Sequence, residues 1–441
     1  MKRLLSCMAL AAAVLAAVSC GDGNRENQLK IYNWSSYIDE ALIGEFEEWY
    51  EEQTGEKVSI VYQTFDINET MLSKIEKGHE DYDIVCPSDY IIERMLRADL
   101  LIPIDRDFGD TPNYIDDNVS PFIKGLFDKI DGSGKNANDY TVGYMWGTTG
   151  ILYNARHVDD EDATTWDILR NEKYRDKIFV KDAARDVYGP VLIYLRQEQL
   201  KSGETTLDEL MYDSSDESIA DVENYMKQVK ELVAGWEADF GKEQMTQEKG
   251  YVNMTWSGDA VWAIEEAAEV DVDLRFAVPD EGSNVWFDGW VIPKYARNVK
   301  AARYFINFLC MPENAIRNMD EIGYVSTIGA PEVLEAIEDD EYDAVDLSYF
   351  FGPEATEVHT NAVQYPDRST VENCTLMHDW GEETPKLIAM WSRVKGDNAS
   401  PMTYIVIGVT FCALLAFEIG KRVRKARRRR RHAIRKKQKM A

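Results

Sequence analysis

The chain lacks the short sequence motifs that identify the common families of enzymes. Its 441 residues contain no G-x-S-x-G nucleophile elbow, no H-E-x-x-H zinc motif, no phosphate-binding glycine loop and no Rossmann G-x-G-x-x-G fingerprint. The histidines before the basic C-terminus are too scattered to suggest a catalytic triad: His79, His157, His359 and His378. These absences favour binding over catalysis, and we expect no catalytic residue, no metal and no cofactor.

Cysteine is rare and follows no zinc-binding spacing. Three of the six cysteines fall in the terminal segments described below, which leaves Cys86, Cys310 and Cys374 in the body of the chain. One pair of these could form a disulfide in an oxidising compartment, but three cysteines cannot all pair within one chain. We therefore expect no structural zinc site and at most one disulfide bond.

Basic side chains are few relative to acidic ones, except at the C-terminus. The whole chain has 49 lysines and arginines against 79 aspartates and glutamates. Residues 21–400 have 34 basic and 78 acidic side chains, a formal net charge of about −44. Such a charge repels nucleic acids and anionic substrates and raises the local concentration of cations. We therefore expect no nucleic acid among the partners.

The N-terminus has the features of a secretory signal peptide. Residues 1–20 read MKRLLSCMALAAAVLAAVSC, with two basic residues before an apolar segment that is too short to span a bilayer. The final AVSC resembles a bacterial lipobox, and this predicts a lipoprotein whose first residue, Cys20, carries the lipid. Ordinary signal cleavage is the alternative, because Ala17 stands where such boxes more often have leucine.

The C-terminus predicts a transmembrane helix followed by a cytoplasmic tail. Residues 402–420 are apolar except for Glu418, and they are long enough to cross a hydrocarbon core of roughly 30 Å. Thirteen lysines and arginines follow within 421–441, and such an excess stays on the cytoplasmic side. Two alternatives are a buried core helix and a basic segment that binds a nucleic acid or a disordered partner.

About 380 residues lie between these ends, more than one hydrophobic core usually holds, so two lobes are expected. The first hundred residues alternate strands (LKIYNW, KVSIVYQTF and YDIVCPSDY) with helices. One helix places Leu42, Phe46 and Trp49 on one face, and Asn68 is expected to cap a second, short helix. The β-α-β-α-β pattern predicts a mostly parallel sheet covered by helices.

The segments YMWGTTGILYN and NVWFDGWVIP are typical of strands that pass between two lobes. We therefore expect a two-strand hinge. The predicted boundaries are 29–145 for the first part of lobe 1, 146–286 for lobe 2, 287–330 for the return into lobe 1, and 331–400 for a segment packing on both lobes.

Aromatic and hydroxyl side chains follow two of the predicted strands. Trp34, Ser35 and Tyr37 come after the first strand, and Ser88 and Tyr90 come after the third. Ligands of parallel sheets lie beyond the carboxyl ends of the strands, so these side chains are candidates for one wall of a ligand cleft. The alternative is that the two rings of the first segment only pack its helix onto the sheet.

Carboxylates lie beside aromatic residues in the second half of the chain. The candidates are Asp186 in AARDVYG, Trp256 and Asp259 in TWSGD, Trp286 and Asp288 in VWFDGW, and Tyr324 in EIGYVS. A carboxylate in a partly dry cleft is costly unless a cation neutralises it. An alkyl chain ending in ammonium groups fits both needs, because rings attract ammonium groups and cover methylenes. The alternatives are that Asp186 pairs with Arg185 or with a nearby helix terminus, that Asp259 caps a helix, and that Asp288 is a turn residue.

With these residues in order, the chain resembles the spermidine/putrescine-binding proteins of bacterial ABC polyamine importers. The resemblance runs from about residue 29 to 395 through IYNWSSYI, NETM, YDIVCPSDY, YMWGTTGILYN, DAARDV, WSGD, WFDGWVIP, INFL with MPENA, and EIGY. It implies an α/β, two-lobed type II periplasmic binding-protein fold that closes over one polyamine. It also implies that the first-lobe wall is formed by Trp34, Ser35, Tyr37, Ser88 and Tyr90, and that the cage is completed by Asp186, Trp256, Trp286, Asp288 and Tyr324.

The resemblance leaves the choice of polyamine open. Asp259 matches an acid of putrescine-preferring relatives, whereas Ala183 stands where spermidine binders have an additional acid and Ser36 where putrescine binders can have one. A C-terminal span is not typical of the family.

The expected function is to capture putrescine, spermidine or both and to present the polyamine to the permease subunits of an ABC transporter. The protein is expected on the periplasmic face of the inner membrane, held there by an N-terminal lipid and the C-terminal helix. A membrane-anchored polyamine sensor, an enzyme on the same scaffold, and a binding protein for another small solute remain as alternatives.

Overall fold

The structure is a computed structural model that describes residues 22–238 and 240–396. Within these ranges the chain forms fourteen strands and seventeen α-helices. The strands are β1 (Gln28–Trp34), β2 (Ser59–Phe65), β3 (Ile84–Val85), β4 (Leu101–Ile102), β5 (Thr141–Asn154), β6 (Ile178–Lys181), β7 (Val233–Glu237), β8 (Val252–Trp256), β9 (Leu274–Ala277), β10 (Ser283–Pro293), β11 (Val325–Ser326), β12 (Ala344–Val345), β13 (Val358–His359) and β14 (Cys374–Thr375).

The helices alternate with these strands through most of the chain. They are α1 (Ala41–Thr54), α2 (Asn68–Glu76), α3 (Asp89–Arg97), α4 (Tyr114–Asn118), α5 (Pro121–Phe127), α6 (Ala184–Leu195), α7 (Gln197–Ser202), α8 (Leu207–Tyr212), α9 (Asp216–Lys230), α10 (Gly241–Thr246), α11 (Ser257–Ala268), α12 (Val299–Leu309), α13 (Pro312–Ile322), α14 (Pro331–Ile337), α15 (Ser348–Phe351), α16 (Arg368–Glu372) and α17 (Thr384–Lys395).

The first lobe, which we define as the part built around β1 to β4, begins with the predicted β-α-β-α-β pattern. Strand β1 lies between β2 and β3 and is parallel to both. Helix α1 buries Leu42, Phe46 and Tyr50, one residue per turn on the same face, and ends at Gly55, whose φ of 72° favours glycine. Trp49 packs at the margin of this face and is only partly buried. Phe46 meets Phe305 of α12 with ring centroids 5.0 Å apart, which brings the later helix back onto this lobe.

Two long strands carry the chain between the lobes. All residues of β5 and β10 are buried, and the two strands pair in antiparallel fashion. At one end Val291 of β10 pairs with Val85 of β3, and at the other the second half of β5 pairs with β8. A strand buried on both faces is apolar along its whole length, which explains why both segments show runs of apolar residues rather than strict alternation.

The second lobe, which we define as the part built around β6 to β9, continues the same sheet. Strand β6 pairs in parallel with both β7 and β8, and β9 pairs in antiparallel fashion with β5. The strand order through both lobes is β2-β1-β3-β10-β5-β8-β6-β7. Helices α6 and α11 each follow directly from a strand of this lobe, so that their first turns lie at the carboxyl ends of β6 and β8.

The structure corrects one prediction about the second helix. Asn68 does not cap α2, because the helix begins at Asn68 and Ile67 holds the cap position. The amide of Asn68 instead donates hydrogen bonds to the Ser88 hydroxyl and the Tyr90 hydroxyl, at 3.0 and 3.3 Å. Met71 is buried on the inner face of the helix. An asparagine that looked like a local capping residue therefore connects two segments of the first lobe.

Several predicted features of the termini lie outside the described residues: the signal peptide 1–20 with Cys20, the span 402–420 and the basic tail 421–441. In the part of the chain that is described, no helix has both the length and the apolarity needed to cross a bilayer. Both lobes belong to one compact unit, whose last residue is Leu387. Within the described ranges, the thiols of Cys86, Cys310 and Cys374 are buried and free.

A glycine on a crossing strand provides a test of this packing. A Cβ added at Gly150 of β5 would overlap the Phe276 ring and lie 2.5 Å from the carbonyl oxygen of Ala277 on β9. We expect Gly150→Ala to lower the free energy of unfolding by about 2 kcal/mol, because an overpacked backbone contact cannot relax easily. Gly125→Ala is the matched control, since its added Cβ meets nothing within 4 Å and should stabilise α5 by about 0.5 kcal/mol. Urea unfolding that ranks Gly150→Ala level with wild type would contradict this account of the sheet.

Candidate ligand-binding site

Asp288 lies where the two crossing strands are irregular. The register of β10 against β5 shifts between Asp288 and Gly289, and Asp288 forms an isolated bridge with Ser88 of the first lobe. The Ser88 hydroxyl donates a 2.6 Å hydrogen bond to Asp288 Oδ1, and the Tyr37 hydroxyl donates a 2.9 Å hydrogen bond to Oδ2. The residue is 7% exposed. The first lobe therefore supplies two hydroxyl donors to a buried carboxylate on a crossing strand.

Asp186 is a second carboxylate, in the first turn of α6 in the second lobe. The indole nitrogen of Trp256, at the end of β8, donates a 2.8 Å hydrogen bond to Asp186 Oδ1. The neighbouring Arg185 turns elsewhere, since its guanidinium donates to the carbonyl oxygen of His378 and lies 4.4 Å from the ring centroid of Trp380. Arg185 therefore does not neutralise Asp186.

Asp186 is partly buried and Asp288 is buried, and neither carboxylate pairs with a lysine or arginine side chain within the described ranges. Among the described residues, no lysine or arginine lies within ion-pair distance of Asp186 or Asp288. Burial raises the pKa of Asp288 to about 6, although the hydrogen bonds from Ser88 and Tyr37 favour the ionised form. Burial also raises the pKa of Asp186 to about 6, against the hydrogen bond from Trp256. At neutral pH the site therefore carries two carboxylates that form no ion pair with a lysine or arginine of the described residues.

A continuous series of aromatic rings connects the two carboxylates. Tyr37 packs edge-on against Tyr324 with ring centroids 5.4 Å apart. Tyr324 contacts Trp286 at 5.6 Å, and Trp286 contacts Trp256 at 6.5 Å. A Cβ added at Gly258 would overlap the Tyr324 ring, so this close approach requires glycine there. The rings come from both lobes and from the crossing strand, and their contacts run from Tyr37, which donates to Asp288, to Trp256, which donates to Asp186.

Asp259 differs from the other two acids because cations already surround it. Its Oδ2 lies 2.7 Å from Lys181 Nζ, its Oδ1 lies 3.2 Å from Lys242 Nζ, and the Tyr324 hydroxyl donates to Oδ1 at 3.1 Å. Burial alone would raise the pKa of Asp259, but the two ammonium groups outweigh it and hold the pKa below its ordinary value. Asp259 lies in the first turn of α11 rather than at its cap.

Tyr90, another candidate of the first lobe, forms hydrogen bonds with two residues of α2. The Tyr90 hydroxyl accepts a hydrogen bond from Asn68 and donates one to Glu69 Oε1 at 3.2 Å. Because Asn68 also donates to Ser88, its amide holds Ser88 and Tyr90 in a fixed relation.

Trp34 and Ser35 make their contacts within the first lobe. The Trp34 ring packs against Phe65 at 4.5 Å, and the exposed Ser35 hydroxyl donates to Asp66 Oδ1 at 2.9 Å. Trp34 is partly buried. These two residues therefore lie at the end of β1 as the sequence predicts, and a role in binding stays a prediction.

Sequence reasoning missed Lys181, which is 1% exposed at the end of β6. A signal was available, because a lysine that follows the apolar run IFV on a buried strand needs an acidic partner. It also missed Asp89, whose Oδ2 is buried without a hydrogen-bond partner and whose pKa burial raises well above its usual range. Asp89 belongs to the segment YDIVCPSDY, but the sequence of that segment does not indicate which of its polar side chains is buried.

Comparison with known proteins places this arrangement in a family. Residues 44–344 match the family described as bacterial extracellular solute-binding protein. The spermidine/putrescine-binding periplasmic protein of Escherichia coli is 28% identical over 376 residues, which cover 84% of this chain and 93% of that protein. The putrescine-binding periplasmic protein of the same organism is 28% identical over 342 residues, with coverage of 75% and 86%.

A solved structure gives the same result for the fold. The substrate-binding protein of a spermidine/putrescine ABC transporter from Streptococcus pneumoniae superposes with a TM-score of 0.61 at 30% identity. The match covers 84% of this chain and 98% of that chain. The predicted α/β, two-lobed periplasmic binding-protein fold is therefore confirmed.

The buried acid on β10 should weaken the ligand-free fold. Because the pKa of Asp288 is about 6 in the folded protein and about 4 when unfolded, its ionisation costs stability above pH 6, and the cost fades as the pH falls towards 4. We expect Asp288→Asn to raise the free energy of unfolding by about 1 kcal/mol at pH 8, since part of the gain is lost with one hydroxyl hydrogen bond. The advantage should disappear near pH 4.

Urea unfolding without added amines measures this effect. The exposed Asp110 gives the matched control Asp110→Asn, which should leave stability unchanged at both pH values. An Asp288→Asn variant that is less stable than wild type at pH 8 would show that the charge is balanced within the protein.

Proposed function

The chain belongs to the bacterial extracellular solute-binding proteins, and we propose that it binds a polyamine, putrescine, spermidine or both, and delivers it to an ABC permease. The observation that carries this proposal is the pair Asp186 and Asp288, two carboxylates without an internal cation that a path of aromatic rings joins. The relatives described above are named for the binding or transport of spermidine and putrescine, which supports the same ligand class.

A flexible dication matches the chemistry of both ends of this path. An ammonium group beside each carboxylate forms a charge-assisted hydrogen bond and supplies the positive charge that the site lacks. The methylenes between the ammonium groups lie against ring faces, where apolar surface is removed from water and cation–π attraction adds about 0.5 to 2 kcal/mol per ammonium. A sugar has no charge to offer the two acids, and an anion is repelled by them.

Ligand capture in this proposal couples to closure of the lobes. Ser88 and Tyr37 belong to the first lobe, Trp256 and Asp186 to the second, and Asp288 lies on the strand that runs between them. A polyamine that contacts both sides stabilises the closed form over the open form, and only this difference in affinity shifts the population. The cycle consists of binding and release, and no covalent bond changes.

The proposed location is the outer face of the bacterial inner membrane. We extend the proposal to attachment by a lipid on Cys20 and by a helix over 402–420, with the tail 421–441 in the cytoplasm. The sequence of these segments supports it. The domain boundaries and the first-lobe contacts of Trp34, Ser35 and Tyr90 with the ligand are part of the same proposal.

Calorimetric titration of the purified chain with putrescine, spermidine, spermine and arginine tests the proposal. We expect one-to-one binding of at least one alkyl polyamine and much weaker binding of arginine, whose carboxylate meets uncompensated acids. Asp186→Asn should weaken polyamine binding by about 2 kcal/mol, because it removes one desolvated charge partner. Asp110→Asn, an exposed acid of the first lobe, should bind as wild type does. A wild-type protein that gives no heat with any of the amines would refute the proposal.

The affinity should depend on pH through the same two acids. Both have a pKa of about 6, and a cation binds the ionised form, so affinity should be constant between pH 7 and pH 8 and fall below pH 6. Each carboxylate can reduce the binding constant up to about tenfold per pH unit in that range. The Asp288→Asn variant should show a shallower decline. An affinity that rises on acidification would contradict the assignment of these carboxylates as the ammonium partners.

A further inference from the structure

Lys181 is a buried cation whose surroundings reproduce the ammonium site proposed for the ligand. Its Nζ lies 2.7 Å from Asp259 Oδ2, 3.1 Å from Glu237 Oε1 and 4.1 Å from the ring centroid of Trp256. It also donates to the carbonyl oxygen of Ala238 at 3.1 Å. Burial disfavours the charge, but the two carboxylates outweigh it and raise the pKa of Lys181, so the group is an ammonium.

Trp256 connects this internal ammonium to the ligand site. The same indole whose nitrogen donates to Asp186 has Lys181 Nζ over its ring. Asp259 likewise joins the two regions, because its Oδ1 accepts from Tyr324, a ring of the path between the acids. Lys181 therefore occupies the ring face and the carboxylate that a further ammonium of the ligand would need.

We propose that Lys181 fills a third ammonium position with a side chain of the protein and thereby restricts the site to ligands with two positive charges. This inference rests on the proposed polyamine binding and adds its specificity. Asp186 and Asp288 remain for the two ammonium groups of a diamine, whereas Asp259, which accepts from Lys181, is already neutralised. A triamine placed along the same path brings its additional charge towards Lys181 and finds no free carboxylate there.

The proposal gives the acid at position 259 an indirect role in selectivity. Asp259 acts as the counterion that holds Lys181 in place, and Lys242 and Tyr324 position the carboxylate. Selectivity against triamines then comes from the lysine rather than from direct recognition of an amine by Asp259.

The first test uses the wild-type chain and ligands of equal length. Spermidine and N-butyl-1,4-diaminobutane have the same number of chain atoms, but the second compound has a methyl group in place of one terminal ammonium of spermidine. In calorimetric titrations at pH 7, where all three nitrogens of spermidine are protonated, we expect spermidine to bind at least tenfold more weakly than the diamine. Equal or tighter binding of spermidine would overturn the proposal. Binding of putrescine with no binding of either longer amine would also overturn it, because selection would then depend on length.

The second test removes the internal ammonium. Lys181→Met combined with Glu237→Gln keeps the buried charge of this pair balanced, because both side chains are almost fully buried. We expect the ratio of spermidine to putrescine affinity to rise at least tenfold, since Asp259 and the Trp256 face become available. Lys201→Met combined with Glu198→Gln is the matched control, because it removes an exposed lysine–glutamate pair of the second lobe and should change the ratio by less than threefold.

The outcomes separate this inference from the function on which it depends. A wild-type chain that binds no polyamine refutes the proposed function itself. A wild type that binds, together with a folded double variant whose affinity ratio is unchanged, refutes only the role of Lys181. If the double variant does not fold, the comparison of spermidine with N-butyl-1,4-diaminobutane on the wild type still decides the question.

Discussion

The negative charge that the protein leaves unbalanced at Asp186 and Asp288 is the constraint on which the site depends. A folded chain usually pairs a buried carboxylate with a cation of its own, as this one does at Asp259 with Lys181 and Lys242. Hydroxyl and indole donors satisfy the hydrogen bonding of the two open acids but supply no charge. Ionisation of these acids costs stability in the empty protein, and a bound cation recovers it.

The fold explains how these two acids come to lie near each other. Strands β5 and β10 run through both lobes, and the register shift at Gly289 turns Asp288 towards Ser88 and Tyr37. Asp186 arrives from the other lobe at the start of α6, beside the end of β8. Each acid is therefore fixed by a different part of the sheet, and a ligand that joins them also joins the lobes. The proposed coupling of ligand binding to lobe closure therefore depends on where the two carboxylates lie relative to β5 and β10.

Much of the fold was predictable, because its signals are local. The alternation of strands and helices in the first hundred residues, the apolar face of α1 with its stop at Gly55, and the two buried crossing strands can all be read from hydrophobic period and composition. Asn68 shows where local reasoning fails. Its type and position suggest a cap, whereas its amide is used in contacts with Ser88 and Tyr90, which are distant in sequence.

Contacts between residues that are distant in sequence also limit what could be predicted of the ligand-binding site. Tyr37, Ser88, Asp186 and Asp288 could be proposed because they follow strands or accompany rings, but their partners could not. Nothing in the order of residues shows that Lys181 reaches Asp259 and the Trp256 ring, because these contacts join two strands and a helix. A residue's chemistry is visible in sequence, whereas the charge left over after all internal pairs have formed is a property of the assembled structure.

A crystal structure of the protein with putrescine bound tests the central claim most directly. We expect one ammonium nitrogen of putrescine to lie within hydrogen-bond distance of the Asp288 carboxylate and the other to lie beside Asp186. The methylenes should lie against the rings between them. A diamine bound elsewhere, or one whose ammonium displaces Lys181 from Asp259 while Asp186 and Asp288 remain without a cation, would contradict it.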